Sequence, residues 1–270
     1  MTRVAGPGSA DTNVSWALLG LGALAALVSL AAGGYRFGFE VIHDAGYYFS
    51  GTFLQLISSF GETLPAIALL ALLSKRNPRV LWMAVLASLY AAVFTHLLKN
   101  LFDSDRPPAV FGDWVVLGGE ALKLHSFTSG HTVTAFVLAA CFSVGSPRSA
   151  KIIFYSFAVS VGLSRVCLGV HWPVDVFGGV AVAGLSVYLA LQTLRFSAWG
   201  LGLAAHCLFV CLIAACALVQ LLIVPEHPAP LFVLRVAIGA TSLSVLVRDY
   251  IMGPVSTFAL ACNVAESSPR

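Results

Sequence analysis

The chain has 270 residues, of which 59% are hydrophobic and only 10% charged, with a mean hydropathy of +0.90 and a formal net charge of +3. A water-soluble domain carries about a quarter charged residues, so this composition excludes a soluble globule. The small, dispersed positive charge also argues against a nucleic-acid partner.

Residues 1–15 carry one basic residue, Arg3, among Gly, Ser and Asn, which is a poor signal peptide. The apolar run after them reads as a first spanning helix, Val14–Ala32. Tyr35–Ser59 mixes Phe37, Phe39, Val41 and Ile42 with Glu40, His43 and Asp44 and predicts an interfacial helix. Further spans are expected at Leu64–Ser74 (extended back toward Phe53), Val80–Leu98, His131–Val144, Ile152–Leu168, Trp172–Leu191, Leu201–Val224 and Leu231–Val247. The last contains Arg235, for which Glu226 is a candidate partner. The expected fold is all-α, a polytopic transmembrane helical bundle forming a single membrane domain over residues 1–270. Its core covers about residues 53–192, with two additional C-terminal helices over about 199–248.

The short connections alternate in charge. Arg3, Lys75, Arg76, Arg79, Arg148, Lys151, Arg195 and Arg248 fall on one set, which the positive-inside bias assigns to the cytoplasmic face. Both chain ends then lie inside, and the polar connections between spans face outward. The six cysteines sit in or near apolar runs without metal-ligand spacing and read as packing residues.

Three polar segments interrupt the apolar pattern at one membrane face: Lys99–Pro107, Thr128–His131 and Ser164–Asp175. Together they supply Lys99, Arg106 and Arg165, a cation set suited to an anion with several oxygens, because arginine forks match phosphate in a bidentate way. Ser129 and Gly130 open a helix, whose N–H groups and dipole favour an anion. His171 and Asp175, four residues apart at a helix start, share a face, so the carboxylate can hold one imidazole nitrogen and leave the other to attack. His131, on another helix, is then placed to protonate a departing oxygen. This division of roles suits phosphoryl transfer through a phosphohistidine.

These residues resemble the type 2 phosphatidic acid phosphatase family, whose motifs are KxxxxxxRP, PSGH and SRxxxxxHxxxD. Lys99, Arg106 and Pro107 match the first; Ser129, Gly130 and His131 the second; Ser164, Arg165, His171 and Asp175 the third. Thr128 stands where the family carries Pro. The resemblance implies phosphate binding by Lys99, Arg106, Ser129, Gly130 and Arg165, a nucleophilic His171 with Asp175 as its partner, and His131 as general acid. It also implies no metal and no cofactor. The expected partners are a lipid phosphate substrate and membrane lipids, with the site facing the extracytoplasmic side of a bacterial inner membrane. The oligomeric state is not legible.

The expected activity is hydrolysis of a lipid phosphate or diphosphate, such as undecaprenyl diphosphate, phosphatidylglycerol phosphate, phosphatidate or the phosphates of lipid A. Alternatives at this stage are a glucose-6-phosphatase-like enzyme for soluble esters, a vanadium haloperoxidase, a phosphotransferase and a non-catalytic lipid-binding relative. Asp103 and Asp105 read as a solvated collar rather than a metal pair. His96 and His206 are expected to be packed or hydrogen-bonded within the bundle, and His125 to have no direct role. The apolar loop Pro108–Phe127 suits either a headgroup-level flap or interfacial anchoring.

Overall fold

The computed structural model describes residues 6–75, 77–222 and 229–252. Arg3, Arg76, Glu226 and Cys262 lie outside the described residues. Helix α1 covers Ser9–Gly33 and is followed by the short amphipathic α2, Phe39–Gly46. Next come α3 (Gly51–Ser59), α4 (Thr63–Leu69) and α5 (Ala71–Ser74). The long α6 spans Pro78–Phe102 and leads to α7 (Pro107–Phe111) and α8 (Gly130–Ser143). Helices α9 (Arg148–Cys167), α10 (Pro173–Phe196), α11 (Leu203–Leu222) and α12 (Ala229–Leu246) complete the bundle. Among the described residues, six helices are long and apolar enough to cross a membrane. The protein is an integral membrane helical bundle.

Two elements depart from a plain spanning helix. The expected interfacial segment Tyr35–Ser59 is divided: α2 fits that description, whereas α3 pairs with α4 and α5 as an apolar helical unit bent by 52°. Glu62, at the break, is the residue before α4 and carries the extended backbone of a helix start. Helix α8 has 14 residues, about 21 Å at 1.5 Å per residue, against about 30 Å of hydrocarbon. It is therefore too short to cross the hydrocarbon alone.

Helix α10 is the central post, packed against α1, α6, α8 and α9. Without a hydrophobic driving force between helices in lipid, close packing needs small residues at the crossing. Gly22 and Gly184 supply them. A Cβ on Gly22 would lie 2.5 Å from the Ala181 nitrogen, and one on Gly184 2.5 Å from the Leu19 nitrogen. The α11–α12 hairpin packs on the other side of the molecule, against α3, α4 and α5. At the end of the bundle opposite the motif loops, Lys151 pairs with Asp11 at 3.7 Å and Lys75 donates to the Asp249 carbonyl at 2.6 Å.

Candidate active site

The three motif segments meet at one end of the bundle, where the ends of α6 and α9 and the starts of α8 and α10 converge. Helix α10 starts with Pro173 in its first turn and Asp175 at the third position. The Asp175 carboxylate caps the helix by accepting the Trp172 N–H at 2.9 Å. The same oxygen, Oδ2, faces His171 Nδ1 at 3.1 Å and accepts the Ser126 hydroxyl. The other oxygen, Oδ1, accepts the Tyr35 hydroxyl at 2.6 Å. Asp175 is fully buried with both oxygens occupied; a buried carboxylate so bonded orients its neighbours.

His171 is 2% exposed. Burial, reinforced by the charges of Arg106, Arg165 and Lys99, holds its imidazole well below the ordinary histidine range. In its neutral form the Asp175 bond assigns the proton to Nδ1 and leaves a lone pair on Nε2. The Nη1 group of Arg106 lies 3.3 Å from Nε2.

Backbone carbonyls aim the cations. Arg106 donates through Nε to Leu124 O at 2.9 Å, through Nη1 to Val170 O at 3.2 Å and through Nη2 to His125 O at 3.4 Å. Lys99 Nζ donates to the same His125 carbonyl at 2.7 Å. Arg165 Nη1 donates to Ser58 Oγ at 2.7 Å, while its buried Nε has no protein partner. Three cations against a single buried carboxylate leave the pocket electropositive, the field an oxyanion needs.

At the start of α8, Ser129 is fully buried and engaged. Its hydroxyl caps the helix through Thr132 N–H at 3.5 Å and Thr132 Oγ1 at 3.0 Å, and its own N–H donates to Asp175 O at 3.1 Å. Ser129 thus ties α8 to α10, and the first-turn N–H groups left over for an anion are those of Gly130 and His131. Thr128 is fully buried below the surface. Gly169, at φ 74° in the turn before His171, needs its missing side chain: a Cβ there would meet Val115 O at 2.1 Å.

Five residues absent from the sequence-based set hold this site: Tyr35, Ser58, Ser104, Ser126 and His125. Tyr35 also lies 3.0 Å from Ser104 Oγ, which accepts the Phe127 N–H at 3.1 Å. His125 acts through its carbonyl, while its ring pairs with Asp103 at 3.1 Å on the exposed side. None stands at a motif position, so only the tertiary fold reveals them. Of the remaining histidines, His206 is buried and bonds Tyr250 at 2.8 Å, whereas His96 is exposed and bonds Asn100 at 3.1 Å. Arg235 finds its partner in Glu62 at 2.6 Å; the expected partner, Glu226, lies outside the described residues.

An apolar cavity of about 400 Å³ opens from this site into the bundle between α4, α6 and α8. His131 and Gly130 lie at its motif end, and its wall continues along Thr134, Val137 and Cys141. On α6 it is bordered by Ser88, Ala91, Ala92 and Thr95. Ser88 and Ala92 are exposed, so the cavity has a side opening among small residues.

The family model of the PAP2 superfamily matches residues 80–199. Residues 80–199 are thus similar to the PAP2 superfamily. The chain resembles the "Lipid A 1-phosphatase" of Rhizobium etli, 31% identical over 99 residues, which are 35% of this chain and 42% of that protein. It also resembles the "Undecaprenyl-diphosphatase" of Sulfolobus acidocaldarius, 28% identical over 142 residues, 52% of this chain and 68% of that one. The chain spans less than half the length of the first curated relatives it matches, 42% and 38%. Among solved structures, Aquifex aeolicus LpxE superposes with a TM-score of 0.53 at 28% identity, covering 57% of this chain and 92% of that one. The matched segment contains all three motifs. Helices α1, α11 and α12 lie outside the matched segment.

Proposed function

We propose that this protein is a membrane phosphatase that hydrolyses a lipid phosphate or diphosphate through a phosphohistidine on His171, with its site open to the extracytoplasmic leaflet. The cavity carries this reading. An apolar channel about 16 Å long, from the 11-residue separation of Gly130 and Cys141 at 1.5 Å per residue, begins at His131 and opens sideways among small residues. A soluble phosphate ester has no use for such a channel. A lipid has one: its chain lies in the cavity while its phosphate rests among Lys99, Arg106 and Arg165.

Neutral His171 attacks phosphorus through Nε2, with the guanidinium of Arg106 transferring its contact from that nitrogen to a phosphate oxygen. The Nε2–P bond forms as the P–O bond to the lipid breaks, and His131 delivers a proton to the leaving oxygen. Charge developing on the phosphoryl oxygens is met by the three cations and by the Gly130 and His131 N–H groups. In the second half, water attacks phosphorus, the N–P bond breaks, and His131 takes the proton from that water. Asp175 holds the tautomer throughout and stabilises the positive charge on the ring as the N–P bond forms.

The names of the relatives support lipid phosphates as a class, and the choice among them is a matter for a substrate panel. Purified protein in detergent with EDTA is expected to release phosphate from one or more of lipid A, undecaprenyl diphosphate, phosphatidate and phosphatidylglycerol phosphate. A sugar phosphate is expected to be turned over poorly, and His171→Ala to remove turnover. Full activity of that variant overturns the mechanism, and preference for the sugar phosphate overturns the substrate class.

A further inference from the structure

The α11–α12 hairpin lies outside the matched segment, yet it reaches the active site through one charged pair. Arg235 projects from α12 at membrane depth, where a cation needs a partner. Its Nη2 meets Glu62 Oε2 at 2.6 Å. Glu62 sits at the break between α3 and α4, beside catalytic machinery on two sides. Gly61, the residue before it, packs so closely on His131 that a Cβ there would lie 2.6 Å from the His131 carbonyl oxygen. Ser58, one turn earlier, accepts Arg165 Nη1 at 2.7 Å. The Glu62 carboxylate also acts electrostatically on Arg165. Glu62 lines both the 400 Å³ cavity and a neighbouring one of about 180 Å³ shared with Gln220 and Arg235.

The Glu62 carboxylate therefore lies between two guanidiniums, bonded to one and within the field of the other. Released from Arg235, it would be an anion in the wall of a phosphate site, competing with substrate for Arg165. We infer that Arg235 is a positioning residue: by holding Glu62 it keeps that carboxylate out of the phosphate cradle, so that the two helices outside the matched segment set the affinity of the site for oxyanions. The inference rests on the proposed phosphate cradle but not on turnover.

Orthovanadate binding to the detergent-purified full chain tests it without turnover. In R235Q the unpaired Glu62 is expected to weaken binding about tenfold, on the order of one unit charge acting across about 10 Å at an effective dielectric of about 20. E62Q, which removes the anion, is expected to bind vanadate as tightly as the unaltered protein or more tightly. The neutral pair E62Q/R235Q is expected to return to within about twofold of it. The opposed signs separate this role from a structural one, in which both single variants weaken binding and the double weakens it further. That pattern, or unaltered binding in R235Q, overturns the inference. Should R235Q fail to give monodisperse protein, the other two variants decide: a tenfold loss in either E62Q or the neutral double overturns it. If the variants behave as expected while no lipid or sugar ester is hydrolysed, the proposed activity fails and the positioning role stands.

Discussion

Asp175 is where the residue scale is most instructive, because one buried carboxylate does three jobs. It caps α10, fixes the His171 ring and receives two hydroxyls from elements far away in the chain. Removing one hydroxyl leaves the carboxylate less restrained without removing it. Tyr35→Phe is accordingly expected to lower kcat about tenfold, about 1.4 kcal/mol in the barrier, with KM little changed; steady-state phosphate release checks this. His171 gives a second prediction. Its imidazole is held below the ordinary range, so at pH 6.5, where an unperturbed histidine is about half protonated, it remains neutral. A histidine-labelled NMR titration, with His171→Gln to assign the resonance, is expected to show this. Since the unfolded chain binds that proton more readily, the same shift makes acidification below about pH 6.5 destabilising. Motif spacing made His171, Asp175 and the cations legible from sequence. Tyr35, Ser126 and the His125 carbonyl were not, because hydroxyls and carbonyls carry no pattern until folding brings them together.

At the scale of elements, hydropathy located nearly every span, since about 20 apolar residues in a row have few alternative homes. It read the stretch before α4 in two ways, as the end of the interfacial segment Tyr35–Ser59 and as a backward extension of the Leu64–Ser74 span toward Phe53. Gly51–Ser59 is too short and too mixed to declare itself as half of a span, and its role depends on the bend that follows. The α1–α10 crossing gives the prediction proper to this scale. Leu at Gly184 has no room beside Leu19 and Ser15, and overpacking of this kind costs about 1–3 kcal/mol. Gly184→Leu is expected to lower thermal stability in detergent. It is also expected to reproduce the kcat loss of Tyr35→Phe, because displacing α1 withdraws Tyr35 from Asp175. Phosphate release from the surviving folded fraction distinguishes the two effects.

For the whole molecule, the side opening predicts a split between substrates. Ala92→Phe, set where α6 borders the cavity, is expected to raise KM for a long-chain lipid phosphate about tenfold while sparing a small water-soluble aryl phosphate; parallel kinetics on the two esters check it. The loop above the site divides its apolar residues. Val115 is buried and Phe111 packs 5.6 Å from Phe39, while Trp114, Leu122 and Leu124 stay exposed, as membrane-surface contact requires. Helix α1 carries a consequence for how the molecule is put together. The turn that follows it reaches the Asp175 carboxylate from outside the matched segment, through Tyr35, while α1 itself packs on α10 across glycines. A chain beginning after Arg36 would keep all three motifs and lack one phenol on Asp175, and is expected to show the same loss of kcat, about tenfold, as Tyr35→Phe. Co-expressing residues 1–36 as a separate membrane peptide is expected to recover that factor in the bilayer, making the molecule divisible into a slow body and a detachable accelerator.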